Sequence, residues 1–185
     1  MEHLATLGLD ITGKRVLEVG AGIGLLTKFF EDKNCDILTT DSRRENILEL
    51  KRRYPHRNAI ILDLERPLSV QKLGKFEIVF CYGTLYHLSS PDRALKNLSR
   101  ICTEMILIET VLDLKESDSI RVVPERNSVS QASLRGCRPT RKSVFRLLKR
   151  HFGYAYTTAT QPNHQDFILN WKNPPKQDFY RAIFI

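Results

Sequence analysis

The stretch VLEVGAGIGLL, Val16–Leu26, constrains the fold of this chain more than any other. It opens as an apolar run with a single acid, Glu18, and apolar residues at helical spacing follow over Leu25–Lys33. Three glycines lie between the two patterns: Gly20, Gly22 and Gly24. Glycine permits a tight turn with close backbone approach, and a continuous apolar run is typical of a strand buried in a parallel sheet. The stretch therefore predicts a strand, a tight turn and a helix around a nucleotide-like ligand.

Two common nucleotide motifs do not fit this turn. A dinucleotide fingerprint, G-x-G-x-x-G, would place its third glycine where this chain has Leu25. A phosphate-binding P-loop would need a lysine after its last glycine, and Ile23-Gly24-Leu25 supplies none. Leu25 thus disfavours a nicotinamide-dependent oxidoreductase.

Strand and helix patterns alternate along the whole chain. The strand-like runs are Arg15–Val19, Asp36–Thr40, Ala59–Leu62, Phe76–Cys81, Glu104–Val111, Tyr154–Thr158 and Arg181–Ile185. The helical patterns are Leu25–Lys33, Arg43–Tyr54, Val70–Leu73, Asp92–Ile101 and Arg141–Phe152. Such alternation predicts an α/β fold, with a doubly wound, mostly parallel seven-stranded sheet and helices on both faces.

Size and composition narrow the class of protein. A chain of 185 residues is most simply one domain, 1–185, and its 42% hydrophobic and 27% charged residues are typical of globular proteins. No apolar run approaches the roughly 20 residues of a membrane span, and no signal peptide is evident. The four cysteines form no C-x-x-C pair, so we expect reduced thiols in the cytoplasm and no metal site. Two long polar stretches, 112–139 and 161–180, are predicted to be substrate-side loops.

The pattern Glu18-x-Gly20-x-Gly22-x-Gly24 resembles motif I of the class I S-adenosylmethionine-dependent methyltransferases. Residues at the ends of the next three predicted strands match further positions of that family: Asp41, then Asp63 and Leu64, then Cys81 and Tyr82. The segment Gly83–Leu88 is similar to the one after the fourth strand in several small-molecule and tRNA methyltransferases. The last two strand patterns resemble the reversed hairpin of this fold. The resemblance extends over essentially the whole chain.

The resemblance implies S-adenosylmethionine as cofactor and a role for each matching residue. Asp41 would hold both ribose hydroxyls, and Asp63, with Leu64 beside it, would accept from the adenine amino group. The backbone of Cys81 and Tyr82 would lie along the methionine part.

Each of these residues also has a structural alternative. Glu18 would be costly to bury unpaired, so it is expected to accept hydrogen bonds from backbone amides or from the cofactor. The glycines could serve an ordinary turn, Asp41 could cap the next helix, and Asp63 could serve a turn.

Three residues are candidate catalytic groups: His87, Glu109 and His164. His87 follows the fourth strand, where the methyl group should lie, and histidine suits a general base near neutral pH; the alternative is a structural histidine bonded to a loop. Glu109, near the end of the fifth strand, would orient the acceptor or form a buried salt bridge. His164 lies on the second long stretch, where a solvent-facing side chain is the alternative.

Three further residues are candidate acceptor contacts: Tyr86, Arg135 and Arg138. Tyr86 would line the methyl pocket or simply pack. Both arginines lie in Ser130–Thr140, which leads into a helix, and guanidiniums beside free helix amides suit a carboxylate or phosphate. This allows an anionic acceptor. The basic residues of the following helix are predicted to form its solvated face.

Together these features predict methyl transfer by in-line displacement to an oxygen or nitrogen of a small-molecule or carbohydrate-like acceptor. Cys81 stands where many relatives carry Asp or Asn, which argues against the chemistry of amide-type N-methyltransferases. The alternatives are a tRNA-modifying methyltransferase, suggested by the pI near 9.5 and by the resemblance of Gly83–Leu88, and a protein that binds S-adenosylmethionine without catalysis. Nucleic acid is less favoured, because no basic stripe alternates with exposed aromatics. No membrane contact is predicted, and the oligomeric state is left open.

Overall fold

The computed structural model describes residues 1–125 and 134–185. Its centre is a six-stranded sheet in the order β3-β2-β1-β4-β5-β8, and β6 and β7 form a separate antiparallel pair. The strands are β1 Arg15–Val19, β2 Asp36–Asp41, β3 Ala59–Ile61, β4 Phe76–Tyr82, β5 Cys102–Leu112, β6 Ile120–Pro124, β7 Arg135–Pro139 and β8 Tyr180–Phe184. The helices are α1 Glu2–Ala5, α2 Lys28–Glu31, α3 Arg44–Arg53, α4 Pro67–Gln71, α5 Pro91–Ser99 and α6 Arg141–Phe152, with a 3₁₀ turn at Leu85–His87.

Five strands of the central sheet run parallel and one runs against them. Strands β1 to β5 pair in parallel, while β8 pairs with β5 in the antiparallel direction. The last four residues of β1, 16–19, are buried because both faces of the sheet are covered. The carboxyl ends of the parallel strands therefore meet at one edge, where α/β sheets bind ligands.

Successive residues of a strand point to opposite sides of the sheet, and helices cover both sides. Val16 of β1 packs in a cluster with Phe30 of α2. Leu17, the next residue, packs in a second cluster with Leu98 of α5 and Leu147 of α6. The predicted α/β class, with its mostly parallel sheet and reversed last strand, is confirmed.

The predicted count of seven strands in one sheet is wrong, since the central sheet formed by the described residues has six. The segment Tyr154–Thr158, predicted as a strand, makes only an isolated antiparallel bridge between Thr157 and Phe184. Aromatic residues favour strands through packing on a sheet face, and Tyr154 and Tyr156 are 74% and 60% exposed, so that packing is missing.

Two other boundaries differ from prediction. Helix α2 begins at Lys28 rather than at Leu25, because the glycine turn, with Gly24 at φ +79°, continues through the first part of the predicted helix. The stretch 112–139, predicted as a loop, contains the antiparallel pair β6 and β7. Its second strand, RGCRP, carries a glycine and a proline that hid the strand pattern.

The described helices also bear on the membrane prediction. Within 1–125 and 134–185, none is both long and apolar enough to cross a bilayer.

Candidate functional site

All three glycines of the turn adopt left-handed backbone conformations, but their surroundings differ. A Cβ added to Gly20 would lie 2.1 Å from Thr84 Oγ1, so only glycine lets the end of β1 pass the loop after β4. A Cβ added to Gly22, at φ +59°, would meet no atom within 4 Å. The Gly24 carbonyl accepts from the Arg57 guanidinium, whose Nη1 lies 2.6 Å from that oxygen. Gly20 is thus fixed by packing, whereas Gly22 faces open space.

The carboxylate of Asp41 lies beside this turn. Asp41 is the last residue of β2 and is 7% exposed. Its Oδ2 accepts from the Gly22 backbone amide at 2.9 Å, and its Oδ1 accepts from the Arg43 amide at 2.9 Å. A carboxylate has about four acceptor sites. Both oxygens therefore keep a lone pair for a ligand such as a vicinal diol, although the Arg43 bond shows that Asp41 also serves the turn into α3.

Glu18 is buried in β1 and held by hydroxyls. It accepts from Thr27 Oγ1 at 2.6 Å and from Thr39 Oγ1 at 3.3 Å. These threonines take the place of the predicted backbone amides. Burial raises the pKa of Glu18 from its ordinary 4.5 to about 7, against the lowering effect of the two hydroxyls.

Asp63 and Leu64 follow β3 at the same edge of the sheet. Asp63 Oδ1 accepts from the Glu65 amide at 2.9 Å, and Oδ2 lies 3.2 Å from Arg66 Nε, so the turn role is present. The Leu64 side chain is 5% exposed in the core, and its carbonyl accepts from Asn97 Nδ2 at 2.9 Å. Only the Asp63 carboxylate and the Leu64 backbone can therefore face a ligand.

Cys81 and Tyr82, at the end of β4, point to opposite faces of the sheet. The Cys81 side chain is fully buried in the core, and burial raises the pKa of its thiol to about 12, which removes it as a nucleophile. Tyr82 stacks on Phe80 with ring centroids 4.3 Å apart. Its hydroxyl is buried and has no hydrogen-bond partner among the described residues.

Glu109 forms the buried salt bridge that was the alternative to its predicted role. Its Oε1 accepts from Arg181 Nη1 at 2.9 Å, and its Oε2 accepts from the Gly83 amide at 3.0 Å. Arg181 Nε also lies 3.3 Å from Asp166 Oδ2. Burial alone would lower the pKa of Arg181, but Glu109 and Tyr86 outweigh it and raise that pKa.

A pocket of about 840 Å³ opens beside this salt bridge. Gly83, Glu109 and Arg181 form part of its wall, and His164 lies on the same pocket. The His164 side chain is 58% exposed, and its Nδ1 accepts from the Asp166 amide at 3.2 Å. His164 thus lies at the site but in the solvent-facing position that was its alternative.

His87 is half-buried and bonded to a carboxylate. Its Nδ1 lies 3.0 Å from Glu125 Oε2. Burial lowers the pKa of His87, and Glu125 only partly opposes that effect. The Tyr86 ring lies 4.2 Å from the His87 ring, and the Arg181 guanidinium carbon lies 5.3 Å from the Tyr86 centroid. Tyr86 therefore connects His87 to the salt bridge beside the pocket.

The two predicted arginines lie on β7. Arg138 Nη1 lies 3.8 Å from Glu125 Oε1 and donates to the Cys137 carbonyl at 2.8 Å, so its charge faces a carboxylate. Arg135 is exposed at the start of β7. The residues 130–133 of the predicted anion-binding segment lie outside the described residues.

Sequence reasoning missed three residues of this site: Thr84, Glu125 and Arg181. Each meets its partner only through the fold, and Arg181 and Glu109 are 72 positions apart. A possible signal was the charge of Arg181 inside an apolar strand pattern, since a buried charge needs a partner. Among residues 1–125 and 134–185, no three His, Cys, Asp or Glu side chains form a group that could hold a metal ion.

Known proteins resemble this chain in sequence or in fold. Residues 2–159 match the family described as methyltransferase domain. The ubiquinone biosynthesis O-methyltransferase of Psychrobacter arcticus is 28% identical over 101 residues, 49% of this chain. The chain spans only 37% of that relative's length.

Two solved structures share the fold. The N-terminal domain of EvdMO1, crystallised with SAH and D-fucose, has a TM-score of 0.72 and 22% identity, covering 93% of this chain and 75% of that one. An S-adenosylmethionine-dependent methyltransferase from Mesorhizobium loti has a TM-score of 0.70 and 10% identity, covering 99% and 95%. The chain therefore belongs to the methyltransferase domain family and shares its fold with these two solved structures.

Proposed function

We propose that this chain transfers a methyl group from S-adenosylmethionine to an oxygen or nitrogen of a small-molecule or carbohydrate-like acceptor. The observation that carries the proposal is the contact of Gly22 and Asp41. An open glycine turn and a carboxylate with spare lone pairs meet at 2.9 Å, at the edge where parallel strands end.

The residues at this edge fit the cofactor. Gly22 leaves room for a ligand against the backbone, and Asp41 would accept from two ribose hydroxyls. Asp63, at the end of the neighbouring strand, would face the adenine, and the backbone of Cys81 and Tyr82 would run along the methionine part. When bound, S-adenosylmethionine supplies a methyl group on a sulfonium that is already activated for displacement. The chain's own task is then to bind, to orient the acceptor and to hold a base.

His87 is the proposed base. A carboxylate only accepts hydrogen bonds, so His87 Nδ1 donates to Glu125 and the neutral ring keeps an Nε2 lone pair that no described residue is seen to occupy. The lowered pKa keeps the imidazole neutral near pH 7. A hydroxyl acceptor benefits from such a base, whereas a neutral amine needs little help.

The comparisons favour a small hydroxyl-bearing acceptor. The Psychrobacter relative is named as an O-methyltransferase, and the EvdMO1 domain was crystallised with a sugar. Both names are consistent with the predicted small-molecule or carbohydrate-like acceptor.

The second candidate function, tRNA modification, is favoured by the net charge of +8. Part of that charge is paired on α6, where Arg146 Nε lies 2.6 Å from Asp118 and Arg150 lies 3.7 Å from Asp92. Salt-sensitive binding of tRNA would support this alternative, and no binding at low salt would remove it.

Calorimetry and a variant of His87 test the proposal. The chain is expected to bind S-adenosylmethionine and not NAD. His87→Ala should lower turnover by about 100-fold or more while cofactor affinity is kept, as expected for loss of a general base. His56→Ala, at a side chain that is 69% exposed, is the matched control. Equal turnover in both variants would contradict the base, and cofactor binding without turnover on any acceptor would favour a binding protein.

A further inference from the structure

The pocket beside Glu109 has a chemical character that narrows the acceptor. It lies past the ends of β4 and β5, with α1 and the segment 162–167 as its other wall. Its volume of about 840 Å³ falls within the range of small-molecule sites. The Tyr86 ring lies between Arg181 of the pocket wall and His87, which is not itself a lining residue.

The charged side chains in the wall of the pocket, apart from the exposed Glu2, are paired with one another. The Arg181 guanidinium lies between two carboxylates. Its Nη1 is 2.9 Å from Glu109 Oε1, and its Nε is 3.3 Å from Asp166 Oδ2. Two carboxylates thus share one guanidinium. Because Arg181 is already paired, its guanidinium offers an incoming anion no free positive charge.

Two lining residues carry buried polar atoms without partners. The Tyr82 hydroxyl and His3 Nδ1 are both buried, and neither has a hydrogen-bond partner among the described residues. The His3 ring is fixed at its other nitrogen, where Nε2 lies 3.0 Å from Thr160 Oγ1. Buried polar groups in folded proteins are normally satisfied. Both atoms can donate or accept, so a hydroxyl of a ligand would satisfy either one.

The rest of the lining includes apolar side chains: Met1, Leu4, Leu26, Phe167 and Ile183. Leu26, directly after the glycine turn, is 39% exposed. An apolar wall with a few neutral hydrogen-bonding groups suits a ring rather than a flexible ion.

We infer that this pocket takes an uncharged, hydroxyl-bearing ring as methyl acceptor, recognised by Tyr82 and His3, an inference that rests on the proposed function. The acceptor would then lie in the Glu109 pocket rather than beside Arg135 and Arg138 of β7. An anionic acceptor would be excluded from that pocket. A sugar ring and a phenol share this chemistry.

The test titrates matched ligands into the isotopically labelled full chain by NMR, with and without saturating SAH. The probes are catechol, methyl β-glucoside, 3,4-dihydroxybenzoate and 3,4-dihydroxybenzylamine. At least one neutral probe is expected to shift the Gly83 and Phe167 amides, and the carboxylate should bind at least about 5-fold more weakly than catechol, in line with one uncompensated polar contact. Catechol alone would indicate a phenol, and the glucoside alone a sugar.

Two variants complete the test. Tyr82→Phe and His3→Phe should each weaken the neutral probe by about 3- to 10-fold, the value of one hydrogen bond, while Tyr154→Phe, at a 74% exposed side chain, should not. The inference is overturned if either charged catechol binds more tightly than the neutral one, if no neutral probe shifts the pocket, or if Tyr82→Phe weakens SAH instead of the probe. Failure of the wild-type chain to bind SAH would instead overturn the proposed function.

Discussion

The glycine turn and the pocket are held together by different kinds of contact. At the turn, Gly22 and Asp41 lie 19 residues apart and meet through a backbone amide. At the pocket, Arg181 and Glu109 lie 72 residues apart and meet through two side chains. The first contact follows from strand order and backbone conformation, which a short motif encodes. The second depends on which side chains the fold happens to bring together. The proposed cofactor end is therefore built from backbone, and the proposed acceptor end from side-chain pairs, so the two should respond differently to substitution.

The largest effect is expected at the acceptor end. Arg181→Met should destabilise the fold by about 3–5 kcal/mol, because it leaves the Glu109 and Asp166 carboxylates unpaired where water reaches them poorly. Urea unfolding measures the loss. Arg146→Met, which breaks a half-exposed pair with Asp118, is the control and should cost less than about 1 kcal/mol. Similar losses in the two variants would show that the Arg181 pair is not a buried one.

The next largest loss of stability is expected where the backbone is closely packed at the glycine turn. Gly20→Ala should cost about 2–4 kcal/mol, because its Cβ would overlap Thr84 and φ is +64°. Gly8→Ala has the same φ of +64° with no atom within 4 Å, so it isolates the backbone strain at about 1 kcal/mol. Equal losses in thermal unfolding would contradict the close approach of Thr84.

Glu18 makes the cofactor end sensitive to pH. Its pKa is raised from 4.5 to about 7 by burial, so between those values the folded chain keeps a proton that the unfolded chain has released. Stability should therefore fall as pH rises through this window, by about 3 kcal/mol in all.

Glu18→Gln should match the wild type at pH 5 and exceed its stability by about 2–3 kcal/mol at pH 8. Glu49→Gln is the control. Arg52 and Arg53 lower the pKa of Glu49 instead of raising it, so this variant should gain no stability at pH 8. A Glu18→Gln chain with the wild type's pH profile would show that Glu18 is solvated.

The smallest effect concerns the carboxylate that orients His87. Glu125→Gln should lower turnover about 10-fold, or about 1.4 kcal/mol, with cofactor affinity unchanged. The acidic limb of the rate profile should move to lower pH, because Glu125 is the group that raises the pKa of His87 against burial. Glu116→Gln, on an exposed segment, is the control. An unmoved acidic limb would reduce Glu125 to a structural partner.

The same contrast explains how far the sequence predicted the molecule. The glycine spacing and the strand-helix alternation predicted the parallel sheet, because these depend on local pattern. The resemblance to class I methyltransferases implied the reversed strand and the position of Asp41 beside the turn. The Thr27 and Thr39 hydroxyls on Glu18, the Glu125 partner of His87 and the Arg181 bridge depend on side chains from distant elements. Tyr154–Thr158 failed as a strand for a related reason, since its aromatic residues found no sheet face to pack on.

The central claim is that S-adenosylmethionine lies across the glycine turn with its ribose held by Asp41. Calorimetric titration of SAH into wild type, Asp41→Asn and Asp36→Asn tests it most directly, since Asp36 lies exposed at the other end of β2. Asp41→Asn should weaken SAH by at least about 10-fold, the loss of one charge-assisted hydrogen bond, and Asp36→Asn should bind like the wild type. Equal affinity in all three chains, or a folded wild type that does not bind SAH, would contradict the claim.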